Sequence, residues 1–107
     1  MILEIAGDEL SLAGTAEIPL AATMLGKSVE LSELPLKMVA FGHAFRTEAG
    51  KHGTATRGIY RLHQFSKVEL FVYCTPDKSE RFFDELVALQ EEIFSELGLH
   101  FRYCRVK

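Results

Sequence analysis

No apolar run in this chain approaches the roughly 20 residues that a membrane-spanning helix needs. The N-terminus is not basic and acid-poor either: Glu4, Asp8 and Glu9 come early, and no transit or signal stretch is read there. Positive charge is in deficit. Twelve Lys and Arg against 15 Asp and Glu give a formal charge of -3, which argues against a general polyanion-binding surface and makes any RNA contact a local one. Cysteine is scarce: Cys74 and Cys104 allow one disulfide at most and are read as two free thiols in a reducing compartment. His43, His52, His63 and His100 do not stand at zinc-ligand spacing from them, so no metal site is expected. There is no Walker-type glycine-rich loop and no Rossmann fingerprint to direct a phosphate elsewhere. Repeats, low-complexity stretches and domain linkers are absent as well. What remains is 107 residues, 48% hydrophobic and 25% charged, enough for one small globular domain and not two.

The patterning predicts an α+β unit, a mainly antiparallel sheet with a long helix packed on one face. Ile2 to Ala6 and Glu9 to Ala13 read as a short hairpin turning at Gly7-Asp8. Pro19 suits a first helical turn, Leu20 to Leu25 continue it, and Gly26 ends it. Met38 to Glu48 reads as a strand, Ala49 to Gly58 as a loop, and Ile59 to Tyr73 as a long strand. A helix is expected from about Ser79 to Leu97, with Phe82, Leu86, Leu89, Ile93 and Leu97 at helical spacing as its core stripe. Leu99 to Val106 reads as one further strand.

The chemistry concentrates between Phe45 and Glu69. Alternate side chains of a strand share a face. In the second segment that set is Arg61, His63, Phe65, Lys67 and Glu69, against Tyr60, Leu62, Val68, Leu70 and Val72 on the other face. In the first segment Arg46 and Glu48 align with Ala40, Gly42 and Ala44, which leave room beside them. Paired as a hairpin, the two segments would line a shallow platform with two Arg forks for phosphate, an aromatic ring for a base, and carboxylates for amino groups. A solvated sheet face with surface ion pairs, Arg46 with Glu48 among them, is the alternative.

The same residues carry a resemblance. Phe45-Arg46-Thr47-Glu48, a variable loop and a second strand with Arg61 resemble motif 2 of class II aminoacyl-tRNA synthetases. The string Arg61-Leu62-His63-Gln64-Phe65-Ser66-Lys67-Val68-Glu69, with Thr15-Ala16-Glu17 in order before it, is similar to seryl-tRNA synthetases in particular. The similarity runs from about Leu10 to Arg102. The pair Thr-Ala-Glu and His-Gln-Phe argues against a ligase for threonine or proline. Phe41-Gly42-His43-Ala44-Phe45 before the motif looks more like organellar or bacterial-type members.

This resemblance implies a partial class II catalytic core over residues 1–107. It implies ATP-dependent activation of serine to seryl-adenylate and transfer to tRNA(Ser). Arg46 would bind the α-phosphate and the serine carboxylate, Glu48 the adenine amino group, Arg61 the γ-phosphate, and Phe65 the adenine ring. Thr15 and Glu17 would contact the serine ammonium, and Glu69 the serine hydroxyl or ammonium. On residue chemistry alone, Thr15 and Glu17 also suit a helix N-terminus. Lys67 would add positive field near the phosphates, and Lys51 and Arg57 would lie on the loop approaching tRNA. His63 is expected to be a hydrogen-bonding scaffold. ATP would come with Mg2+, whose usual protein ligand has no counterpart in this chain. The tRNA-binding arm, motif 1 with its homodimer interface, and motif 3 have no counterpart either. The chain alone is therefore expected not to aminoacylate, with a non-catalytic ATP- or adenylate-binding module as the alternative. Ala55 stands where the family usually has Asp. The implied compartment is the mitochondrial matrix, or else the cytoplasm.

Overall fold

The computed structural model describes residues 2–48 and 61–104. Its centre is an antiparallel pair, β1 (Leu36–Phe45) and β2 (Gln64–Tyr73), in continuous register from Leu36 opposite Tyr73 to Phe45 opposite Gln64. Residues directly opposite one another share a face. One face therefore carries Ala44 with Phe65, Gly42 with Lys67, Ala40 with Glu69 and Met38 with Phe71. The other carries His43 with Ser66, Phe41 with Val68 and Val39 with Leu70.

The first face is covered at one end by α1 (Glu17–Ala22), which buries Leu20. The Tyr73 hydroxyl lies 3.1 Å from the Leu20 carbonyl oxygen and 2.7 Å from that of Ala21, so the last residue of β2 is tied to the helix. The Phe45 N–H donates to the Ala13 carbonyl at 2.8 Å, which holds the segment before α1 against the far end of β1. Pro19 falls in the first turn of this helix, which ends at Ala22 and not at Leu25, and its N-cap is Ala16, not Thr15. Thr15 instead accepts the Glu17 N–H at 3.3 Å, a local turn bond that prepares the first helical turn. A 3-10 turn at Leu31–Glu33 is closed by a reciprocal capping box between Glu30 and Glu33.

The N-terminal hairpin is reduced to one antiparallel bridge, Glu4 with Ser11, supported by Leu12 N–H to Leu3 carbonyl at 2.9 Å. Gly7 turns it with φ of 81°, a conformation that costs glycine nothing.

Helix α2 (Ser79–Glu96) follows a 3-10 turn at Pro76–Lys78. It ends at Gly98, φ 66°, in a Schellman arrangement: Gly98 N–H donates to Ser95 and Leu99 N–H to Phe94, both at 3.0 Å. Phe101 then folds back edge-on to Phe94, ring centres 5.3 Å apart. At its N-terminal end α2 buries Phe82, and Lys37 of β1 reaches Glu85 as an ion pair while lying 5.4 Å from the Phe82 ring centre.

Four expectations are corrected here. The α2 stripe is not core along its length: beyond Leu86 it opens to solvent, with Leu97 65% exposed. The sheet face expected to be core is also open, Phe41 73% and Val68 59% exposed, because α2 meets it only near its Lys37 end. Residues 99–104 form no strand among the described residues, since a strand exists only with a ladder partner beside it. The second strand also begins at Gln64 and not at Ile59; residues 59 and 60 lie outside the described residues. No helix among the described residues is long and apolar enough to cross a membrane.

Candidate functional site

The end of β1 and the approach to β2 build one open pocket of about 390 Å³, lined by Arg46, Glu48, Arg61, Leu62 and Phe65. Arg46 follows the last residue of β1. Its Nε donates to the Gly14 carbonyl at 3.2 Å, and its guanidinium carbon lies 5.1 Å from the centre of the Phe65 ring. The fork is thus braced from behind by the segment before α1 and laid against an aromatic face. Phe65 has this room because its cross-strand partner is Ala44, which is 1% exposed. A larger residue there would fill the floor.

Glu48 pairs with Arg61, not with Arg46. Glu48 adopts a left-handed φ of 48°, uncommon for a residue with a side chain. That turn sends its carboxylate toward Arg61, which lies before the ladder begins and so is not on the strand face that alternation assigns to it. Leu62, expected on a buried face, is 50% exposed and lines the same pocket. His63 is exposed and turns to the backbone: its Nδ1 sits 3.1 Å from the Arg46 carbonyl, while Arg46 N–H donates to the His63 carbonyl at 2.9 Å. The scaffolding expectation for His63 fits this two-bond clamp.

Farther along β2 a second cluster forms. Thr15 donates its hydroxyl to Glu69 Oε2 at 3.0 Å, Lys67 donates to Thr15 Oγ1 at 3.1 Å, and Lys67 also pairs with Glu69 Oε2. Hydrogen bonding from Lys67 holds the Glu69 carboxyl below its ordinary range; the Thr15 bond and the charges of Lys67 and Arg46 act in the same direction, and partial burial opposes them. Lys67 therefore turns to the carboxylate and the hydroxyl, not to the pocket lined by the two Arg. Gly42, its cross-strand neighbour, leaves it space: a β-carbon there would meet nothing within 4 Å.

The structure thus gathers Arg46, Glu48, Arg61 and Phe65 in one pocket, and Thr15, Lys67 and Glu69 in an adjoining cluster on the same strand. Glu17 is not drawn into either. It sits exposed in the first turn of α1, engaged through its backbone N–H alone. Lys51 and Arg57 lie outside the described residues. The Gly14 carbonyl and the Lys67 bridge escape a reading of the sequence. The first is a backbone atom without a residue signature. The second shows only as Lys and Glu two apart on one strand face, a spacing shared by many surface pairs.

The strand pair thus ends in an Arg laid on an aromatic ring, beside one Arg–Glu ion pair. The model of the tRNA synthetase class II core domain for G, H, P, S and T matches residues 3–106, and the chain belongs to that family. Within it the likeness is to the serine enzymes. The chain is 44% identical over 106 residues to the serine–tRNA ligase of Methanocorpusculum labreanum, covering 99% of this chain and 25% of that protein. It is 44% identical over 101 residues to that of Rubrobacter xylanophilus, covering 94% of this chain and 24% of that one. The crystal structure of seryl-tRNA synthetase from Pyrococcus horikoshii complexed with ATP superposes with a TM-score of 0.81 at 41% identity, over 90% of this chain and 22% of that chain. The chain thus spans about a quarter of the length of the relatives it matches.

Proposed function

We propose that this chain carries the ATP- and serine-facing wall of a serine–tRNA ligase site. The observation that carries the reading is the continuity of two clusters along β2: a pocket of about 390 Å³ with two Arg and an aromatic ring, then a hydroxyl–ammonium–carboxylate cluster. That volume falls in the range of small-molecule sites, about 300–1,000 Å³. The likeness to a structure of a seryl-tRNA synthetase with ATP supports the nucleotide assignment.

In this reading the serine carboxylate attacks the α-phosphorus of ATP and pyrophosphate leaves. The carboxylate is already ionised at neutral pH, so no base is needed. Arg46 spans the carboxylate and the α-phosphate with its two-edged fork and offsets the charge gathering on phosphorus. Phe65 stacks the base, Glu48 accepts from the adenine amino group, and Arg61 takes the far end of the triphosphate. Glu69 holds serine, its carboxylate set by Thr15 and Lys67, while Glu17 stays exposed in the first turn of α1. Mg2+ would come with ATP, and among the described residues no group of three His, Cys, Asp or Glu could hold it. Transfer to tRNA(Ser) and pairing into a homodimer are assigned to the longer enzymes that the chain resembles.

The test is calorimetric titration of the 107-residue chain with ATP and with a stable seryl-adenylate analogue. Phe65→Ala is expected to weaken both by about 5- to 150-fold, since base–aromatic stacking is worth about 1–3 kcal/mol. A chain that binds neither ligand, or a variant that binds both as tightly as the parent, removes the assignment.

A further inference from the structure

The Thr15–Lys67–Glu69 cluster is a closed ring of donors and acceptors with one direction. An ammonium donates and never accepts. Thr15 Oγ1, 3.1 Å from Lys67 Nζ, must therefore be the acceptor in that bond. Its own hydrogen is then left for Glu69 Oε2 at 3.0 Å. Lys67 donates to the same oxygen. Glu69 Oε2 is thereby saturated, and Oε1 has no hydrogen-bond partner among the described residues. The carboxylate charge is balanced by an ammonium in contact, and Arg46 adds a second positive charge to its surroundings.

Resting on the serine-site reading above, we infer that Lys67 is a specificity-determining positioning residue, which neutralises Glu69, fixes the Thr15 hydroxyl, and leaves Glu69 Oε1 as a single acceptor for the neutral hydroxyl of serine. A side chain without a donor, as in alanine, leaves that oxygen unpaired in a partly closed site, and such vacancies discriminate strongly. A cationic side chain of the same length, as in 2,3-diaminopropionate, meets a carboxylate already balanced and two cations nearby. Lys67 thus selects a hydroxyl without touching it. The strand supplies the geometry: Gly42 opposite Lys67 leaves the ammonium free to lie along β2 toward Glu69.

The experiment uses three stable sulfamoyl-adenosine analogues bearing serine, alanine and 2,3-diaminopropionate, titrated into the 107-residue chain. The parent is expected to prefer serine to alanine on the order of a hundredfold, and serine to the diamino analogue. In Lys67→Met the serine-to-alanine ratio falls by about tenfold, because the Thr15 hydrogen is released to other partners. The ratio of diamino analogue to serine rises by about as much, because Glu69 is left with an uncompensated charge. Lys67→Arg restores the parent's ratios to within about threefold, since it keeps the charge and the donors. If Lys67→Met loses the parent's circular dichroism, Lys67→Gln takes its place, removing the charge while keeping a donor, and the diamino preference is read there. Equal weakening of all three analogues, or unchanged ratios, overturns the role of Lys67 while leaving the serine site standing. A parent that binds none of the three removes the serine-site reading and this inference with it.

Discussion

Arg46 offers the sharpest separation of structural from chemical roles. Among the described residues its side chain donates Nε–H to the Gly14 carbonyl at 3.2 Å and lays its guanidinium against Phe65 at 5.1 Å. A hydrogen bond from a charged donor contributes about 1.5–3 kcal/mol at best. At 3.2 Å and partly exposed, the lower end applies, and a partly exposed cation–π contact adds about 0.5–1 kcal/mol. Arg46→Ala should therefore destabilise the free chain by roughly 2 kcal/mol. On the proposed reading the same residue would have a further task in adenylation, since removal of one preorganised donor to developing charge typically costs on the order of 10²–10³ in rate. Arg46→Lys separates the two. It keeps a cation near Phe65 but loses the fork that spans carboxylate and phosphate. The lysine variant should recover much of the stability and still bind the seryl-adenylate analogue at least about tenfold more weakly than the parent. Equilibrium urea unfolding reads the first quantity and calorimetric titration the second. A lysine variant with the parent's affinity, or an alanine variant that loses stability and affinity in equal measure, would refute the reasoning.

Gly42→Ala should stabilise the chain by about 0.4–1 kcal/mol, because the new methyl meets nothing within 4 Å, yet it points into a space of about 120 Å³ shared with Thr15 and Lys67 and should weaken the seryl analogue. Urea midpoints and titrations on the same sample show whether the two effects part. Phe82→Ala should cost about 3 kcal/mol, the low end for a large aromatic, since Phe82 is the one buried residue by which α2 docks; an unchanged melting profile would mean that the helix is held otherwise. Glu69 should titrate below its ordinary 4.5, so its stabilising contribution is complete above that value and is lost as pH falls through the lower folded value. Carboxyl chemical shifts followed from pH 7 downward check this, and Lys67→Met should move the midpoint upward.

Much of the site was legible because strand periodicity is a local property. Alternation from Met38 to Glu48 and again through Phe65 to Tyr73 marks two strands, and the small residues Ala40, Gly42 and Ala44 mark the face with room. Three features were not legible. The ion pairs depend on where chain ends bend, and Glu48 leaves the strand conformation just where alternation would carry it on toward Arg46. The Thr15–Glu69 bond joins residues 54 apart, and no local pattern reports such a distance. Burial is the third. An apolar stripe such as Phe82 to Leu97 predicts a face that is suited to being covered, while covering it takes a partner, and the described residues provide one only near Phe82.

The unbroken register of β1 and β2 makes the strand pair a measuring rod. Phe65 stands opposite Ala44 and Glu69 opposite Ala40, four residues apart on one face. At about 3.4 Å per residue Phe65 and Glu69 are rooted roughly 13–14 Å apart along hydrogen-bonded backbone. In the proposed site the length of the ligand that fits is therefore set by the ladder and not by the side chains that touch it. Insertion of one residue between Phe65 and Glu69 would not lengthen the rod by a notch. It would turn Glu69 to the opposite face and send Val68 inward in its place. Drift in length is thus forbidden between Phe65 and Glu69.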